Sequence, residues 1–440
     1  MCQQHTADDD GAASMHETRK PVESPDTDPF PWELGVYDAH CHPTDTLASI
    51  ASIPDMHARV LTVMSTRRQD QDLVAEVADK YGVKDIGAVT SGPAARTARI
   101  VPSFGWHPWF SHQLYDDTAP VPSYDGTPEG KRAHYDAILQ PKPSAKDPAF
   151  SDGLPEPRPL SEFVRETRAR LEAHPFALVG EVGVDKAFRI PQNLTTDHEA
   201  NRDDTLTPGG REGRLLSPHR VSMAHQTTIL AAQLRLAGEL GRPVSCHGVQ
   251  AHGVLYDAIA QTWRGHEKEV LSRREKNQIA KNAENFSSSD GSDDDDDDDE
   301  GRSNKAPPKP RQAGSVSPTP RQLGPKPFPP RICLHSYSGS VDFVKQYMHP
   351  SVPAKVFCSF SIVVNWGQSG AGDKSDEVIR ALPDDRILVE SDLHTAGEDM
   401  DGFLEEGVRK ICEIKGWELR QGVAQLGKNW QDFVFGIEHE

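Results

Sequence analysis

Eight short apolar runs, each followed by a helix-like stretch, constrain the fold of this chain more than any other feature. The runs are VYDAHCH (36–42), RVLTVMS (59–65), IVPSFGWHP (100–108), FALVGEVGV (176–184), PVSCHG (243–248), RICLHS (331–336), KVFCSFS (355–361) and RILVESD (386–392). Strands that alternate with helices indicate a parallel sheet. Eight such units favour a (β/α)8 barrel over an open doubly wound sheet, which the pattern alone does not exclude. The predicted class is therefore α/β, a TIM barrel with long disordered insertions.

Three polar segments interrupt this alternation. Residues 112–158 are rich in Pro, Asp and Ser, and residues 192–220 are polar. Residues 265–329 combine a charged stretch, an Asp run and a Pro-rich stretch, which together cannot bury enough apolar area to offset their chain entropy. We expect that insertion and the polar tail at 1–30 to be disordered, which leaves 31–440 as one interrupted barrel.

The acidity of the chain is concentrated in one segment. The net charge is −19, but residues 290–300 contain nine acids and no bases, so the rest of the chain carries −10. An acidic protein is not an obvious nucleic-acid binder, because phosphate contacts normally use Lys and Arg. A metal site can still supply local positive charge. We interpret the acidic run as a solvated spacer, with weak binding of calcium or a basic protein as the alternative.

The N-terminal residues, the lengths of the apolar runs and the cysteines indicate the compartment in which the protein resides. The N-terminal residues lack the pattern of a secretory signal, and no run approaches the ~18 apolar residues that span a membrane. The six cysteines have no paired or CxxC spacing, and four of them lie in predicted strands. Free buried thiols in a reducing compartment explain this better than disulfides. We therefore expect a soluble cytoplasmic or nuclear protein without membrane association.

Side chains suited to metal binding stand at the ends of the predicted strands. His40 and His42 alternate in the first strand, so both imidazoles point to one face. An isolated His-x-His is more often a solvated or hydrogen-bonded pair than half of a metal site. Other strand ends carry further imidazoles and carboxylates: His107, Glu181 followed by Asp185, His247, His335, Glu390 and Asp392. Because the C-terminal strand ends of a barrel converge, this set favours a metal site.

The number and type of these side chains suit a two-metal hydrolase. Four His and two carboxylates can hold two divalent ions that share one carboxylate. Two ions about 3.5–4 Å apart can polarise a phosphoryl or acyl oxygen and generate hydroxide near neutral pH. A carboxylate beside the water can accept its proton. The candidate ions are Zn, Mn and Mg, of which Mg is least favoured because it prefers oxygen ligands.

Six motifs, taken in order, resemble the TatD family of metal-dependent deoxyribonucleases, which belongs to the amidohydrolase-type barrels. The motifs are DAHCH, GWHPW, VGEVGVD, QLRLAGELGRPVSCH, LHSYSGS and ILVESD, and they cover most of 36–262 and 331–435. The resemblance implies two metal ions with Glu181 as the shared ligand. The implied ligands of the first ion are His40, His42, Glu181 and Asp392, and those of the second are Glu181, His247 and His335.

The same resemblance implies roles for other residues. Asp392 would act as the general base, His107 would contact the substrate phosphate, and Asp185 would orient a metal ligand. Trp106 and Trp109 flank His107, and we consider Trp106 a substrate-binding candidate that stacks a nucleobase. A position in the core or at the rim is the alternative for these two aromatic residues.

The chain departs from the family pattern in two places. Val249 stands where the family commonly has an Arg, so a guanidinium suited to bidentate phosphate binding is missing. The usual Pro after the last strand is also absent, since the chain reads SDLHTAG. The long insertions resemble the fungal branch of the family, some members of which interact with a subunit of the anaphase-promoting complex.

Three functions remain open at this point. The first is a metal-dependent deoxyribonuclease that removes nucleotides from DNA ends. The second keeps the metal site but acts on a small ester, amide or phosphoester, as Val249 allows. The third is a barrel that serves as a platform, with its disordered insertions binding a protein partner. The complete ligand set favours an enzyme over a purely structural role.

Overall fold

A parallel eight-stranded sheet forms the centre of the protein. A computed structural model describes residues 29–90, 97–144, 148–270, 325–367 and 371–438. Strands β1–β8 are Tyr37–Cys41, Val60–Met64, Ile100–Phe104, Leu178–Asp185, Val244–Val249, Arg331–Leu334, Lys355–Phe360 and Ile387–Val389. Neighbours in the chain are neighbours in the sheet, and all of these pairs are parallel. Each strand coincides with one predicted run, which confirms the α/β barrel class.

The first and last strands meet just beyond their C-terminal ends. The backbone N–H of Asp392 donates to the carbonyl of His40 at 3.0 Å, and that of His42 donates to the carbonyl of Leu393 at 2.8 Å. These two hydrogen bonds nearly close the sheet into a barrel. They also fix the segment after β8 beside β1, so that polar side chains at both strand ends approach one another.

Helices surround the sheet, with shorter turns between them. Helices α1–α12 are Gln71–Tyr81, Gly87–Thr90, Pro128–Ile138, Ala149–Gly153, Leu160–Ala173, Thr196–Ala200, Met223–Leu240, His252–Trp263, Val341–Tyr347, Ala371–Ala381, Glu398–Lys415 and Leu419–Phe435. The 3-10 helices are Trp32–Leu34, Pro43–Asp45, Leu47–Asp55, Pro108–Gln113 and Asp384–Arg386, and Ile362–Trp366 forms a π-helix.

Helix α7 illustrates why the helices form where they do. It begins after Ser222, whose hydroxyl accepts the backbone N–H of His225, and it ends at Gly241, which has a φ of 64°. An N-cap hydroxyl satisfies a free helical N–H, and glycine adopts the left-handed C-cap conformation at little steric cost. Leu230, Leu234 and Ala237 recur on one face and are buried, so this face packs against the sheet.

The last helix, α12, closes the N-terminal side of the barrel. The Trp430 ring stacks on Tyr37 at 4.5 Å, and Phe433 packs on Phe357 at 5.5 Å. The Arg331 side chain at the start of β6 donates to the carbonyl of Phe433 at 2.7 Å. This end of the barrel is therefore filled by aromatic side chains, and the polar C-terminal strand ends lie at the opposite side.

Two of the insertions are folded, and they share an apolar core. Helix α3 and the residues around it contribute Tyr135, Ile138, Leu139 and Leu154, and the residues that flank the second insertion contribute Ile190 and Val221. Leu139–Gln140 also pairs antiparallel with Arg220–Val221. We call these segments, residues 112–144, 148–158 and 186–221, the cap. They interrupt the barrel as expected, but they are ordered because together they bury a core that neither has alone.

Other sequence predictions concern residues that the structure describes only in part. Residues 1–28 and 271–324 lie outside the described residues, and they include Cys2, the Asp run and most of the Pro-rich stretch. The other five cysteines are buried and unpaired, as predicted. Among the described residues, no helix is both long and apolar enough to cross a membrane.

A buried histidine makes the stability of the cap depend on pH. His134 donates from Nε2 to the carbonyl of His112 at 3.1 Å and accepts the Ser123 hydroxyl at Nδ1, at 2.8 Å. Burial lowers its pKa from 6.5 to about 4. Because the unfolded chain binds this proton first, the stabilising contribution is complete above pH 6.5 and is lost as the pH falls toward 4.

Acidification should destabilise the native protein through protonation of the His134 imidazole. A His134→Gln variant should lack this effect. Between pH 7 and pH 5, the difference in unfolding free energy between the two proteins should shrink by about 2 kcal/mol. Urea unfolding of both proteins at the two pH values measures this change. The matched control is His349→Gln, at an exposed position. The difference in unfolding free energy between this variant and the native protein should be the same at both pH values. A constant difference for His134→Gln would contradict the prediction.

Candidate metal centre

Six predicted ligands converge at the C-terminal ends of the strands, in two groups around Glu181. In the first group, His40 Nε2 and His42 Nε2 lie 3.1 Å apart, and both lie 3.4 Å from Oε2 of Glu181. Oδ1 of Asp392 is 3.9 Å from the nitrogen of His40 and 3.6 Å from that of His42. These atoms come from β1, β4 and the segment after β8, so only the closed barrel brings them together.

The second group surrounds the other carboxylate oxygen of Glu181. Oε1 lies 2.7 Å from Nε2 of His335, 2.8 Å from Nδ1 of His247 and 3.1 Å from Nε2 of His107. The His247 and His335 nitrogens are 3.1 Å apart. Glu181 therefore presents one oxygen to each group, which is the arrangement of a carboxylate that bridges two cations.

The chemistry of the donors shows that cations fit between them. Nε2 of His247 lies 3.1 Å from Oδ2 of Asp185, so the imidazole N–H points to that carboxylate. In the neutral ring, Nδ1 is then a lone pair that faces the Glu181 carboxylate at 2.8 Å. Two buried acceptors at this distance repel each other unless a proton or a metal ion lies between them. Nδ1 of His40 lies 2.8 Å from the Ser245 hydroxyl, which holds the ring in place with Nε2 toward Glu181.

The pKa values of the metal-free side chains are shifted by burial and by neighbouring charges. Burial alone raises the pKa of Glu181, but His107 and His335 outweigh it and lower that pKa well below its usual range. Burial lowers the pKa of His42, but the carboxylates of Asp392, Glu181 and Asp45 together outweigh this and raise the pKa to about 9. The carboxylates are therefore ionised at neutral pH, and metal binding must displace protons from imidazoles.

Asp185 lies where it can orient His247. Besides the contact with His247, its Oδ2 accepts the indole N–H of Trp109 at 2.6 Å, and its Oδ1 accepts the backbone N–H groups of Ala187 and Phe188. Burial raises the pKa of Asp185, but the hydrogen bond and charge of His247, together with the N–H groups of Trp109 and Phe188, outweigh it and bring the pKa to about 2. A fixed anion at this point sets both the tautomer and the ring orientation of the histidine.

We expect Asp185→Asn to weaken metal binding about 10- to 100-fold, the range typical for groups that orient a metal ligand. The amide retains Oδ1, but its NH2 group faces the N–H of His247 and cannot accept it. Titration of the metal-free protein with Mn or Zn measures the affinity. Asp203→Asn, which changes an exposed carboxylate of the cap, is the control and should bind normally. Unchanged affinity in Asp185→Asn would show that the carboxylate does not orient the histidine.

One predicted substrate-binding residue lies elsewhere. The Trp106 side chain is 1% exposed, donates from Nε1 to the carbonyl of Phe110 and packs edge-on against Phe163. Trp109 lies at the site instead, partly exposed and stacked on Phe188 at 4.6 Å. The 3-10 turn that begins at Pro108 separates the two indoles, although both residues flank His107 in the sequence.

Sequence reasoning assigned no role to Glu390, although it named this residue at a strand end. The carboxylate is fully buried and accepts the backbone N–H of Ser336 at 2.7 Å and the hydroxyls of Ser336 and Ser359. Its Oε1 is 3.7 Å from Nδ1 of His335, a nitrogen without a hydrogen-bond partner among the described residues. The signal was its position two residues before Asp392, which in the predicted strand would place both carboxylates on one face.

His394, which lies in the segment after β8, also approaches the centre. Its ring stacks against His42 with centroids 5.2 Å apart, and its Nδ1 lies 2.8 Å from Oδ2 of Asp45. Val249, where a family Arg was expected, ends β5 and pairs with Asp185. The rim of the site at that strand therefore carries an apolar side chain.

A parallel barrel with imidazole and carboxylate ligands at its C-terminal strand ends defines the class of barrel metallohydrolases. A family model described as TatD related DNase matches residues 37–434. The chain belongs to this family.

Two curated relatives match most of the chain. Cut9-interacting protein scn1 of Schizosaccharomyces pombe is 31% identical over 399 residues, which cover 91% of this chain and 98% of the relative. The uncharacterized deoxyribonuclease YMR262W of Saccharomyces cerevisiae is 25% identical over 362 residues, 81% of this chain and 82% of the relative. Among solved structures, the TatD homologue YJJV of Escherichia coli K12 has 15% identity and a TM-score of 0.45, covering 92% of this chain and 100% of its own.

Proposed function

We propose that the protein is a deoxyribonuclease that hydrolyses phosphodiester bonds at DNA ends with two divalent metal ions. The observation that carries this proposal is the position of Glu181, whose two oxygens face two separate groups of imidazole nitrogens. Support for DNA as the substrate comes from the family, TatD related DNase, and from the deoxyribonuclease name of the yeast relative.

The residues divide into two ligand sets in this proposal. His40, His42 and Asp392 would hold one ion, His247 and His335 would hold the other, and Glu181 would contribute to both sets. Such ions supply Lewis acidity to a phosphoryl oxygen and to the attacking water. Mixed nitrogen and oxygen ligands favour Zn or Mn over Mg.

Asp392 is the proposed general base. It is the most exposed of the ligating side chains, at 16%, whereas the Glu181 and His40 side chains are 5% and 0% exposed. Burial raises the pKa of Asp392, but its hydrogen bond to His42 and the nearby imidazoles outweigh this and lower it. The carboxylate is therefore ionised and faces the incoming substrate, where it can accept a proton from water.

His107 is the proposed contact to the substrate phosphate. Burial lowers its pKa to about 4, against the opposing effect of Glu181, so the ring is neutral at physiological pH. Its Nδ1 accepts the backbone N–H of Trp109 at 3.2 Å, which leaves Nε2 as the N–H donor. Nε2 lies 3.1 Å from Oε1 of Glu181, and in this proposal it would donate to a phosphate oxygen bound beside that carboxylate.

The test of this function is nucleotide release from 3′- and 5′-labelled single-stranded DNA in the presence of Mn, Zn or Mg. Release that disappears in Glu181→Ala would support the proposal and would also show which end is attacked. If metal-loaded protein releases no more nucleotide than this variant, the proposal is wrong. Small esters, amides and phosphoesters are assayed in parallel. Hydrolysis of one of these compounds without nucleotide release from DNA would identify a small-molecule hydrolase.

A second candidate function, binding of a protein partner, is favoured by the name of the fission yeast relative, which describes an interacting protein. In this proposal the insertion at 265–329 recruits the partner. Its test compares partner capture by the full chain, by a chain lacking 265–329, and by the full chain after metal removal by a chelator. Capture that depends on the insertion but not on metal would support it, and equal capture by all three would not.

A further inference from the structure

Three polar side chains lie together at the rim of the metal centre, and the proposed function uses none of them. They are His252, Ser338 and Lys374, which we call the rim cluster. Lys374 donates from Nζ to the carbonyl of Ser338, and the Ser338 hydroxyl lies 3.4 Å from Nε2 of His252. Ser338 and Lys374 are exposed and His252 is partly exposed, so the cluster faces solvent.

The rim cluster is attached to the two strands that carry the second ligand group. Ser338 follows the ligand His335 by three residues, a length of chain that spans at most about 11 Å. His252 follows the ligand His247 by five residues, and its Nδ1 lies 3.6 Å from the position of a Cβ added at Gly248 in β5. The cluster therefore lies beside the C-terminal ends of β5 and β6, next to the second group of imidazoles.

The positive charge of the rim cluster comes from Lys374, which lies in α10 after β7. Burial lowers the pKa of His252 to about 4, and the charges of Lys374 and His247 act in the same direction. The His252 imidazole is therefore neutral at physiological pH and can form hydrogen bonds without adding charge. At the end of β5 itself, Val249 offers an apolar side chain. A helix that is distant in the chain thus brings a cation to a part of the rim where β5 ends in a valine.

The donors of the rim cluster suit the oxygens of a phosphate group. A lysine ammonium has three N–H donors, and the carbonyl of Ser338 takes one of them, so an anion can accept the others. Lys and Ser side chains are among the usual contacts to nucleic-acid phosphates, and such contacts position a strand without reading its sequence. The metal ions would bind the phosphate that is hydrolysed. The rim cluster, which lies beside them, is placed to bind a neighbouring phosphate of the same substrate.

We propose that Lys374, together with Ser338 and His252, binds a second phosphate of the substrate, next to the phosphate that is hydrolysed. This inference rests on the proposed phosphodiesterase function and deepens it, because it assigns a phosphate-binding position outside the metal centre. The ammonium attracts the second phosphate equally before and during hydrolysis, so it lowers KM without raising kcat. An internal phosphodiester and a terminal phosphomonoester share the required chemistry, and separate probes distinguish them.

The main test compares substrates that contain one or two phosphates. The probes are a thymidine dinucleotide, its 5′-phosphorylated form and a thymidine trinucleotide, all hydrolysed in Mn. The native protein should have a KM about ten times lower for a probe with two phosphates than for the dinucleotide, as expected for a hydrogen bond to a charged group. Lys374→Ala should reduce that ratio to less than about three, with kcat nearly unchanged and metal content retained. A lower KM for the trinucleotide alone identifies an internal phosphodiester, and a lower KM for the phosphorylated dinucleotide identifies a terminal phosphomonoester.

Further variants separate a phosphate contact from a structural role of the lysine. Lys374→Gln can still donate to the carbonyl of Ser338 but lacks the charge, so it should lose the preference for two phosphates as Lys374→Ala does. Lys374→Arg keeps the charge and should retain the preference. Lys80→Ala is the matched control, because it removes an exposed lysine from the last turn of α1. It should leave the KM values for all three probes unchanged.

The salt dependence of KM provides a readout that a structural role would not change. Each phosphate contact to a single strand contributes about −0.7 to the slope of log affinity against log salt concentration. Lys374→Ala should therefore make the slope for the trinucleotide less negative by about 0.7. The slope for the dinucleotide, which has no second phosphate, should stay the same.

Several results would overturn the proposal: an equal KM of the native protein for probes with one and two phosphates, an unchanged ratio in Lys374→Ala, or a native ratio in Lys374→Gln. Failure of the proposed function looks different, because the metal-loaded native protein would then hydrolyse none of the three probes. Isothermal titration calorimetry of the native protein and Lys374→Ala with the same probes decides that case without turnover. Tighter binding of a probe with two phosphates that is lost in Lys374→Ala supports the proposal, and equal or absent binding of all probes overturns it.

Discussion

Glu181→Gln should abolish metal binding at one or both positions and lower DNA hydrolysis by at least about 10³-fold, equivalent to about 4 kcal/mol of transition-state stabilisation. The reason is the shared position of this carboxylate. Its Oε2 faces His40 and His42, and its Oε1 faces His247 and His335. The amide has nearly the same shape, but it lacks the negative charge and offers a single acceptor oxygen, so it cannot bridge two cations.

Metal content by elemental analysis and nucleotide release from labelled DNA measure this effect. Thermal unfolding and circular dichroism establish that the variant is folded. The matched control is Glu398→Gln, which makes the same chemical change at an exposed position in the first turn of α11. It should retain metal and activity. Native metal content together with native activity in Glu181→Gln would remove the basis of the two-metal proposal.

Gly183→Ala should destabilise the fold by about 3 kcal/mol or more and also reduce metal content. Gly183 lies in β4 opposite His247 of β5. A Cβ at this position would lie 2.0 Å from the carbonyl oxygen of His247 and 2.9 Å from its Cβ. Backbone atoms cannot move aside as a flexible side chain can, so the two strands must separate, at a cost at or above the upper range of overpacking. Their separation moves His247 away from Glu181.

The expected observation is a melting temperature lower by about 5 °C or more, together with weaker metal binding. Gly210→Ala is the control, because a Cβ at that position of the cap meets nothing within 4 Å. It should melt and bind metal as the native protein does. If Gly183→Ala were as stable and as metal-rich as the native protein, the close approach of β4 and β5 would be contradicted.

The sequence was sufficient for the barrel and for the set of side chains at its strand ends. Each of the eight apolar runs coincides with a strand, because a strand buried in a parallel sheet is apolar along its length and is bounded by polar residues. The alternation in DAHCH also placed His40 and His42 on one face, since strand geometry has a period of two. Such information is local, so it can be read from neighbouring residues.

The sequence did not reveal how distant segments pack. Trp106 and Trp109 have equivalent positions beside His107 in the sequence, yet a 3-10 turn directs one into the helix layer and the other to the site. The polarity of the first two insertions predicted interruptions of the barrel, but their shared core depends on contacts between Tyr135 and Val221 and their neighbours.

The two carboxylates Glu181 and Glu390 also show which features follow from the sequence and which depend on the tertiary structure. Sequence reasoning predicted Glu181 as a ligand, but only the closed barrel shows that its two oxygens face different imidazole groups. Sequence reasoning placed Glu390 at a strand end but assigned it no role. The side chains that surround this carboxylate come from β7 and from the segment after β6, which are distant in the chain. Periodicity along one strand specifies which face a side chain occupies, whereas its partners are set by the packing of strands that are far apart in the chain.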